Sequence, residues 1–160
     1  MDERDDSQNR EGREDWFLQT LVRWVEDGRQ LSITLSVGGM LISGTLISYS
    51  EYLKLFGDQM RGMTVPELQD LLTRTFADLA EKAEHLMCER EREEEIMQSL
   101  GEEPEDEFVL AYVHLKDTKF FLAAGAGIPT QGGTLWRGKI ASVDGFSLGS
   151  LTASPAQTAS

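Results

Sequence analysis

The sequence predicts an α+β fold: a small, strongly bent antiparallel sheet with an N-terminal helix and with a long helix inserted between strands 2 and 3. Three patterns favour this class. Residues 31–37 alternate strictly between apolar and polar side chains, as a half-buried strand does. From about residue 65 into the nineties, apolar residues recur with the 3.6-residue period of a helix. The segment 107–151 then returns to strand-forming and turn-forming residues.

The composition is that of a globular protein. With 160 residues, of which 40% are hydrophobic, the chain is long enough for one domain with a buried core. No apolar run approaches the roughly 18–20 residues of a membrane span, and the acidic N-terminus lacks the pattern of a secretory signal. The single cysteine, Cys88, cannot form an internal disulfide. We therefore expect a cytoplasmic protein that does not enter a membrane.

The chain divides into one domain and two tails. Residues 1–13 are almost all polar and predict a disordered acidic arm, and the small and polar residues 153–160 predict a disordered tail. Residues 14–152 predict a single α+β domain, which includes a charged helix end and linker at about 89–106.

Charge is distributed unevenly along the chain, whose net charge is −13. Residues 89–107 carry ten acids and two bases, whereas residues 108–160 carry four bases and two acids. An acidic surface repels phosphate backbones, so we expect no nucleic-acid partner. The separation of charge favours self-association, in which the acidic segment of one copy would contact the basic sheet of another. The simpler interpretation is that the charge keeps the protein soluble.

Residues 14–27 predict the N-terminal helix, with Asp15 suited to its start and Gly28 to its end. Its apolar face is predicted to consist of Phe17, Leu21, Trp24 and Val25. We expect the aromatic side chains of this helix, including Trp16, to lie in the core.

The first two strands predict a hairpin. Gly38 and Gly39 supply its tight turn, because glycine adopts positive φ without strain. Met40–Ile47 forms the returning strand, in which Gly44 predicts a bulge or a sharp bend. The core-facing residues of the first strand are Leu31, Ile33, Leu35 and Val37.

Two further helices follow the hairpin. Ser50–Phe56 predicts a short helix with Ser50 as its N-cap, and residues 57–63 predict a loop. Thr64 and Glu67 read as a capping box at the start of the long helix. The core stripe of that helix is predicted to consist of Leu68, Leu72, Phe76, Leu79, Ala83 and Leu86. Beyond this stripe the helix is expected to leave the domain and continue in solvent until Gly101.

The C-terminal part supplies the remaining strands. Glu107–Leu115 predicts a central strand, residues 116–118 a turn and Lys119–Ala124 a returning strand. Residues 135–151 predict two strands joined as a hairpin at Asp144–Gly145, because Asp-Gly favours a type I′ turn. The first of these strands places Trp136, Gly138 and Ile140 on an apolar face, and Arg137, Lys139 and Ala141 on a basic face that is predicted to remain free.

The arrangement of the strands suggests a small barrel. A hairpin that is entered from a helix and bent at Gly44 is similar to the first motif of Sm-like barrels, and the C-terminal strands resemble those that close such a barrel. We therefore predict an Sm-like or SH3-like partial barrel. A likeness of fold does not by itself imply RNA binding.

The sequence contains no catalytic motif. Only two histidines, His85 and His114, are available for a Ser/His/Asp triad, and no nucleophile is marked near either. Phosphate-binding glycine motifs are missing. His85 and Cys88 alone make a weak zinc signal, and a core-edge histidine with a buried thiol is the better interpretation. We expect neither enzymatic activity, nor a cofactor, nor a bound metal.

One motif resembles a known family. Residues Trp136–Ile140, followed by Asp144–Phe146 and Leu148-Gly149, closely resemble the C-terminal signature of the gas vesicle accessory protein U (GvpU) family. The resemblance extends upstream to residues 114–119 and to the first strand pair, and it weakens in the middle of the chain. It implies a non-catalytic protein that promotes or regulates gas vesicle assembly or clustering in the cytoplasm. The implied partners are gas vesicle shell proteins, other accessory proteins, or a second copy of the chain.

The residues that match the family motif are candidates for partner contacts. We expect Arg137 and Lys139, with Trp136 at the rim, to bind a vesicle component or another copy. The predicted partner-binding residues are Trp136, Arg137, Lys139, Lys116, Lys119 and His114, and the predicted structural turn residues are Gly38, Gly39, Asp144 and Gly145.

Two alternative hypotheses predict different surfaces. A chaperone-like factor that holds shell subunits would expose an apolar groove along residues 68–86. An Sm-like RNA-binding protein would need a basic, aromatic-lined pore, and the net charge of the chain argues against it.

Overall fold

The computed structural model describes residues 15–101, 111–122 and 125–152. The predicted N-terminal arm, the predicted C-terminal tail and the part of the predicted linker beyond residue 101 lie outside the described residues.

The described residues form an α+β structure with a six-stranded antiparallel sheet, an N-terminal helix and a long helix between strands 2 and 3, which confirms the predicted class. The helices are α1 (Trp16–Val25), α2 (Tyr49–Gly62) and α3 (Pro66–Leu100). The strands are β1 (Leu31–Val37), β2 (Met40–Leu46), β3 (Tyr112–Phe121), β4 (Gly127–Ile128), β5 (Thr134–Lys139) and β6 (Gly145–Leu148), with a 3₁₀ turn at Ile140–Ser142.

The strands pair in the order β4-β3-β2-β1-β6, and β5 also pairs with β3. The β1–β2 hairpin forms as predicted, with Gly38 at φ 58° and Gly39 at φ 83° in its turn. The assignment of this sheet to an Sm-like or SH3-like partial barrel stays a prediction.

Strand β3 is one continuous strand with a bulge, so the turn predicted at residues 116–118 is wrong. Asp117 adopts φ 52°, and the register against β2 shifts between Ser43 and Thr45. The extra residue lies on β3, opposite Gly44. A Cβ atom on Gly44 would lie 2.9 Å from the backbone oxygen of Lys116, so the close approach of the two strands requires glycine there.

The hairpin predicted at Asp144–Gly145 is wrong, because β5 pairs with β3 while β6 pairs with β1. Gly145 does not adopt the positive φ that a type I′ turn needs. The Asp144 carboxylate instead accepts a 2.8 Å hydrogen bond from the backbone amide of Gly38, and the Asp144 amide donates to the Ser36 carbonyl. Asp144 therefore fastens the β5–β6 connection to the β1–β2 turn.

Helix α1 begins as predicted but buries a different face. The Asp15 carboxylate accepts hydrogen bonds from the amides of Phe17 and Leu18 and so caps the helix. Leu18, Val22 and Val25 are buried, whereas the aromatic side chains predicted to be in the core are exposed, Trp16 to 74%. The stripe that meets the sheet is Leu18, Val22 and Val25, which starts one residue after the predicted stripe from Phe17. It consists only of aliphatic side chains.

Helix α2 is twice as long as predicted, since it passes through Gly57 without interruption. Ser48, rather than Ser50, is its N-cap and accepts a hydrogen bond from the Glu51 amide. A Cβ atom on Gly57 would lie 2.6 Å from the Cβ of Phe76 on α3. Glycine is therefore required by the close packing of two helices and does not mark a loop.

Helix α3 begins at Pro66 without the predicted capping box, because Val65 is the N-cap and the Thr64 hydroxyl donates to the Met60 carbonyl. The helix ends at Gly101, at φ 75°, as predicted. Beyond residue 86 it does not project freely: Glu94 lies 3.6 Å from Arg23 on α1.

The interior has two parts. The first lies between α1 and the sheet and consists of Leu18, Val22, Val25, Ile33, Leu35, Ile42, Leu46, Val113, Leu115 and Ile140. The second joins α2 to α3 through Leu53, Ala80 and Ala83, with Tyr49 and Phe76 packed against it. Helix α2 therefore separates the long helix from the sheet.

Candidate functional site

The predicted partner-binding residues lie on the neighbouring strands β3 and β5, and three of them, His114, Lys116 and Arg137, contact α2. His114 is the cross-strand partner of Arg137, and its ring stacks on Tyr49 at 4.9 Å between centroids and contacts Tyr52 at 4.8 Å. His114 is only 2% exposed, so this residue lies beneath α2 rather than at the surface.

His114 is held as a neutral imidazole. Burial lowers its pKa to about 3, and the nearby Arg137 guanidinium contributes to the same shift. Its Nε2 atom has no hydrogen-bond partner among the described residues. A buried, uncharged imidazole that is stacked between tyrosines packs like an aromatic side chain.

Arg137 forms the outer layer of the same aromatic stack. Its guanidinium carbon lies 4.0 Å from the ring centroid of Tyr112 and 5.7 Å from that of Tyr49. Contacts of this kind hold the guanidinium flat against the rings while its edge stays in water. The basic face of β5 is thus partly occupied by α2 and is not wholly free, contrary to the sequence expectation.

The other four candidate residues, Lys116, Lys119, Trp136 and Lys139, have different surroundings. Lys116 forms a 2.8 Å ion pair with Glu51 of α2, and Lys119 lies opposite Ser43 on β2. Lys139 is exposed at the end of β5. Trp136 lies on the opposite, core-facing side of β5, where its ring covers Gly138 so closely that a Cβ atom there would lie 2.2 Å from the ring.

A second surface lies on α3 and was misassigned from the sequence. Leu68, Leu71, Leu79 and Leu86 are exposed to 47%, 61%, 41% and 56%, and we call these four residues the leucine row. Three of them were predicted to be core. The face that docks on α2 runs instead through Phe76, Ala80 and Ala83.

Small side chains lie on the face of α3 that docks on α2. Ala80 and Ala83 are fully or almost fully buried, and their small side chains allow α2 to approach closely. The docked side is therefore the one with Ala80 and Ala83, whereas Ala77, one turn before Ala80, is exposed. This choice depends on the position of α2, which the periodicity of α3 alone does not contain.

His85 and Cys88 are both exposed on α3, so the predicted core-edge histidine and buried thiol are wrong. His85 lies 3.1 Å from Glu89 on the same helix. Within residues 15–101, 111–122 and 125–152, no group of three or more His, Cys, Asp or Glu side chains is placed to hold a metal ion.

A protein-family model described as gas vesicle protein GvpU-like matches residues 15–151. The chain belongs to the GvpU-like family. No curated protein and no solved structure matches the chain. The family match confirms the resemblance read from the C-terminal motif and makes this GvpU-like chain a gas vesicle-related protein.

The family match spans both surfaces described above. Its range includes the β3–β5 residues beside α2 and the whole of α3. The GvpU-like family is a gas vesicle accessory family. In the part of the GvpU-like chain that the structure describes, no helix is both long and apolar enough to cross a membrane.

Proposed function

We propose that this chain is a non-catalytic gas vesicle accessory protein that binds another gas vesicle protein through the leucine row of α3 and so promotes or regulates vesicle assembly or clustering in the cytoplasm. The observation that carries the proposal is the exposure of four leucines along one side of a single helix. The family match supports the gas vesicle as the site of action.

The leucine row lies outside the buried cluster that joins α3 to α2. Helix α3 already buries Phe76, Ala80 and Ala83 against α2, and the leucines lie outside that contact. The four leucines place apolar side chains in water on an otherwise charged helix, and apolar surface left exposed in this way is a candidate protein interaction site. Association through them needs no catalytic group.

The chemistry of the titratable groups supports a non-catalytic role. His114 is buried, neutral and stacked on tyrosines, and the Lys116 ammonium is paired with Glu51. A general acid or base must reach a substrate in a pocket, and His114 is covered by α2. These groups stabilise the contact between β3 and α2.

A second candidate surface is supported by Lys139 and Arg137. Both are exposed on β5, in a protein whose net charge is −13. A small cationic area on an acidic protein favours contact with an acidic partner surface, on a finished vesicle or on another copy. This surface is partly engaged by Tyr112 and Tyr49, whose rings lie beside the Arg137 guanidinium.

Two binding measurements test the proposal. Tagged protein is mixed with purified, stripped gas vesicles and the floating layer is blotted, and in parallel the protein is used to capture free shell subunit. The variant Leu71→Ser/Leu86→Ser changes the leucine row, and Leu122→Ser/Leu148→Ser removes two exposed leucines elsewhere as the matched control.

We expect the leucine-row variant to lose binding while the control variant keeps it. Capture of free subunit would indicate a factor that holds subunits before assembly, and flotation with finished vesicles would indicate a clustering factor. Binding that survives Leu71→Ser/Leu86→Ser but is lost in Lys139→Glu would overturn the leucine row in favour of the basic surface. Absence of the wild-type protein from both assays would reject association as the function.

A further inference from the structure

The leucine row has the length and straightness of a helix-binding surface. Leu68 and Leu79 are 11 residues apart and Leu79 and Leu86 are 7 apart, which correspond to about three and two helical turns. These side chains therefore stand nearly above one another over about 27 Å of helix axis. A partner helix that lies alongside α3 can contact such a row at every turn or second turn.

The net charge of α3 determines which kind of partner helix can bind beside it. Helix α3 carries ten carboxylates and four Lys or Arg side chains, a net charge of −6. Two copies of α3 placed side by side would bring two such charges together, which opposes self-association through this face. A partner with cationic side chains beside its apolar stripe would be attracted instead.

The position of the carboxylates is more specific than their number. Glu89 and Glu93 follow Leu86 at i+3 and i+7 and so continue the same side of the helix, and both are exposed. This side of the helix therefore changes from leucine to glutamate after Leu86, before the exposed Ile96 and Leu100 at the C-terminal end of α3. A matching surface is apolar over about five turns and basic over the next one or two.

We infer that the leucine row and the adjoining Glu89 and Glu93 bind a cationic amphipathic helix, whose apolar stripe covers the leucines and whose Lys or Arg residues meet the two glutamates. This inference rests on the proposed function, because it names the chemistry of the partner at the same surface. Lys82, which lies between Leu79 and Leu86, would face a polar or acidic position of that helix.

The test uses the full chain and two synthetic helical peptides of about 26 residues, the length that reaches from Leu68 to Glu93. One peptide combines leucine with lysine, and the other places glutamate at the lysine positions. Binding is followed by fluorescence anisotropy at low and high salt. The variant Glu89→Gln/Glu93→Gln is compared with Glu81→Gln/Glu95→Gln, which removes the same charge from exposed positions on other sides of α3.

We expect the Leu/Lys peptide to bind at least about tenfold more tightly than the Leu/Glu peptide at low salt. Glu89→Gln/Glu93→Gln should weaken its binding about threefold to tenfold, an effect that high salt removes, and the control pair should leave binding nearly unchanged. Failure of the Leu/Lys peptide to bind, equal binding of both peptides, or equal effects of the two glutamine pairs would overturn the inference.

The same variants separate this inference from the proposed function. If Leu71→Ser/Leu86→Ser abolishes binding to the gas vesicle protein while Glu89→Gln/Glu93→Gln leaves it unchanged, the partner is apolar without being cationic, and only the inference fails. If the leucine-row variant binds as the wild type does, the proposed function fails as well.

Discussion

The Glu26 carboxylate at the end of α1 accepts a 3.1 Å hydrogen bond from the backbone amide of Tyr49 in the first turn of α2. The ring of the same tyrosine stacks on His114. Burial raises the pKa of Glu26 to about 7 against the pull of that hydrogen bond, and the charge of Glu91 contributes to the rise. A carboxyl group with a raised pKa and an imidazole with a lowered pKa thus flank one residue.

Replacing Glu26 should change how stability depends on pH. The folded state keeps the Glu26 proton up to about pH 7, whereas the unfolded chain loses it near pH 4.5, so wild-type stability contributed by this group falls as pH rises between these values. A glutamine at this position has no proton to lose and can still accept from the Tyr49 amide. We expect Glu26→Gln to be more stable than the wild type at pH 8, by up to about 3 kcal/mol.

Urea denaturation at pH 4.5 and pH 8 measures this difference. The advantage of Glu26→Gln should shrink toward zero at the lower pH, where the wild-type carboxyl is protonated in the folded state. An advantage of equal size at both pH values would show that the carboxyl does not titrate across this window.

His114 should produce the opposite dependence. The unfolded chain takes up a proton below about pH 6.5, whereas the folded imidazole stays neutral down to about pH 3, so the contribution of His114 to stability is lost as pH falls through this range. His114→Phe keeps an aromatic ring between Tyr49 and Tyr52 and removes the titration. We expect this variant to lose less stability than the wild type between pH 6.5 and pH 5.

The measurement is clearest in the Glu26→Gln background, because the two groups change stability in opposite directions between pH 4.5 and pH 6.5. There, the unfolding free energies of the proteins with and without the His114→Phe substitution should diverge by at most about 1.4 kcal/mol per pH unit. Parallel profiles would contradict the buried, neutral state of the imidazole.

Gly57→Ala should loosen the contact between α2 and α3. The new methyl group would lie 2.6 Å from the Phe76 Cβ, so the helices must separate, at a cost of about 1–3 kcal/mol. Gly62→Ala is the matched control, since it lies in the same helix with nothing within 4 Å of the added atom. Thermal unfolding should show a lower Tm for Gly57→Ala alone; similar Tm values for both variants would argue against the close packing.

Asp144→Ala should weaken the junction between the β1–β2 turn and the β5–β6 connection. It removes the acceptor of the 2.8 Å hydrogen bond from the Gly38 amide, at an expected cost of about 0.5–1.5 kcal/mol. Asp144→Asn keeps an oxygen at that position and should recover most of the loss in chemical denaturation. If the alanine and asparagine variants are equally destabilised, the hydrogen bond is not the cause.

Local sequence patterns were sufficient to predict those elements whose structure is determined by one residue pair or one capping group. The alternation of β1, the Gly38–Gly39 turn, the Asp15 cap and the Gly101 helix end all follow from short-range chemistry. The family was also readable from the residues after Trp136, and the family match confirms it.

The predictions from sequence were wrong where two local structures are compatible with the same residues and a contact with a distant element determines which one forms. Asp144–Gly145 has the signal of a hairpin, but the Asp144 side chain bonds to Gly38, more than 100 residues away in the chain. Helix α1 offered two overlapping apolar faces, and contact with the sheet selected the one with Leu18 and Val22. In α3 the leucine row matched the helical period as well as the docked face did, so its exposure was not visible in the sequence.

The bulge at Asp117 divides β3 into two halves with different surroundings. Before it, alternate residues Val113 and Leu115 enter the core while His114 faces α2. After it, the alternation is displaced by one residue, so that Phe120 packs against the same core. Loss or gain of one residue at this point in evolution would exchange inside for outside along half of the strand, even if every side chain in it were conserved.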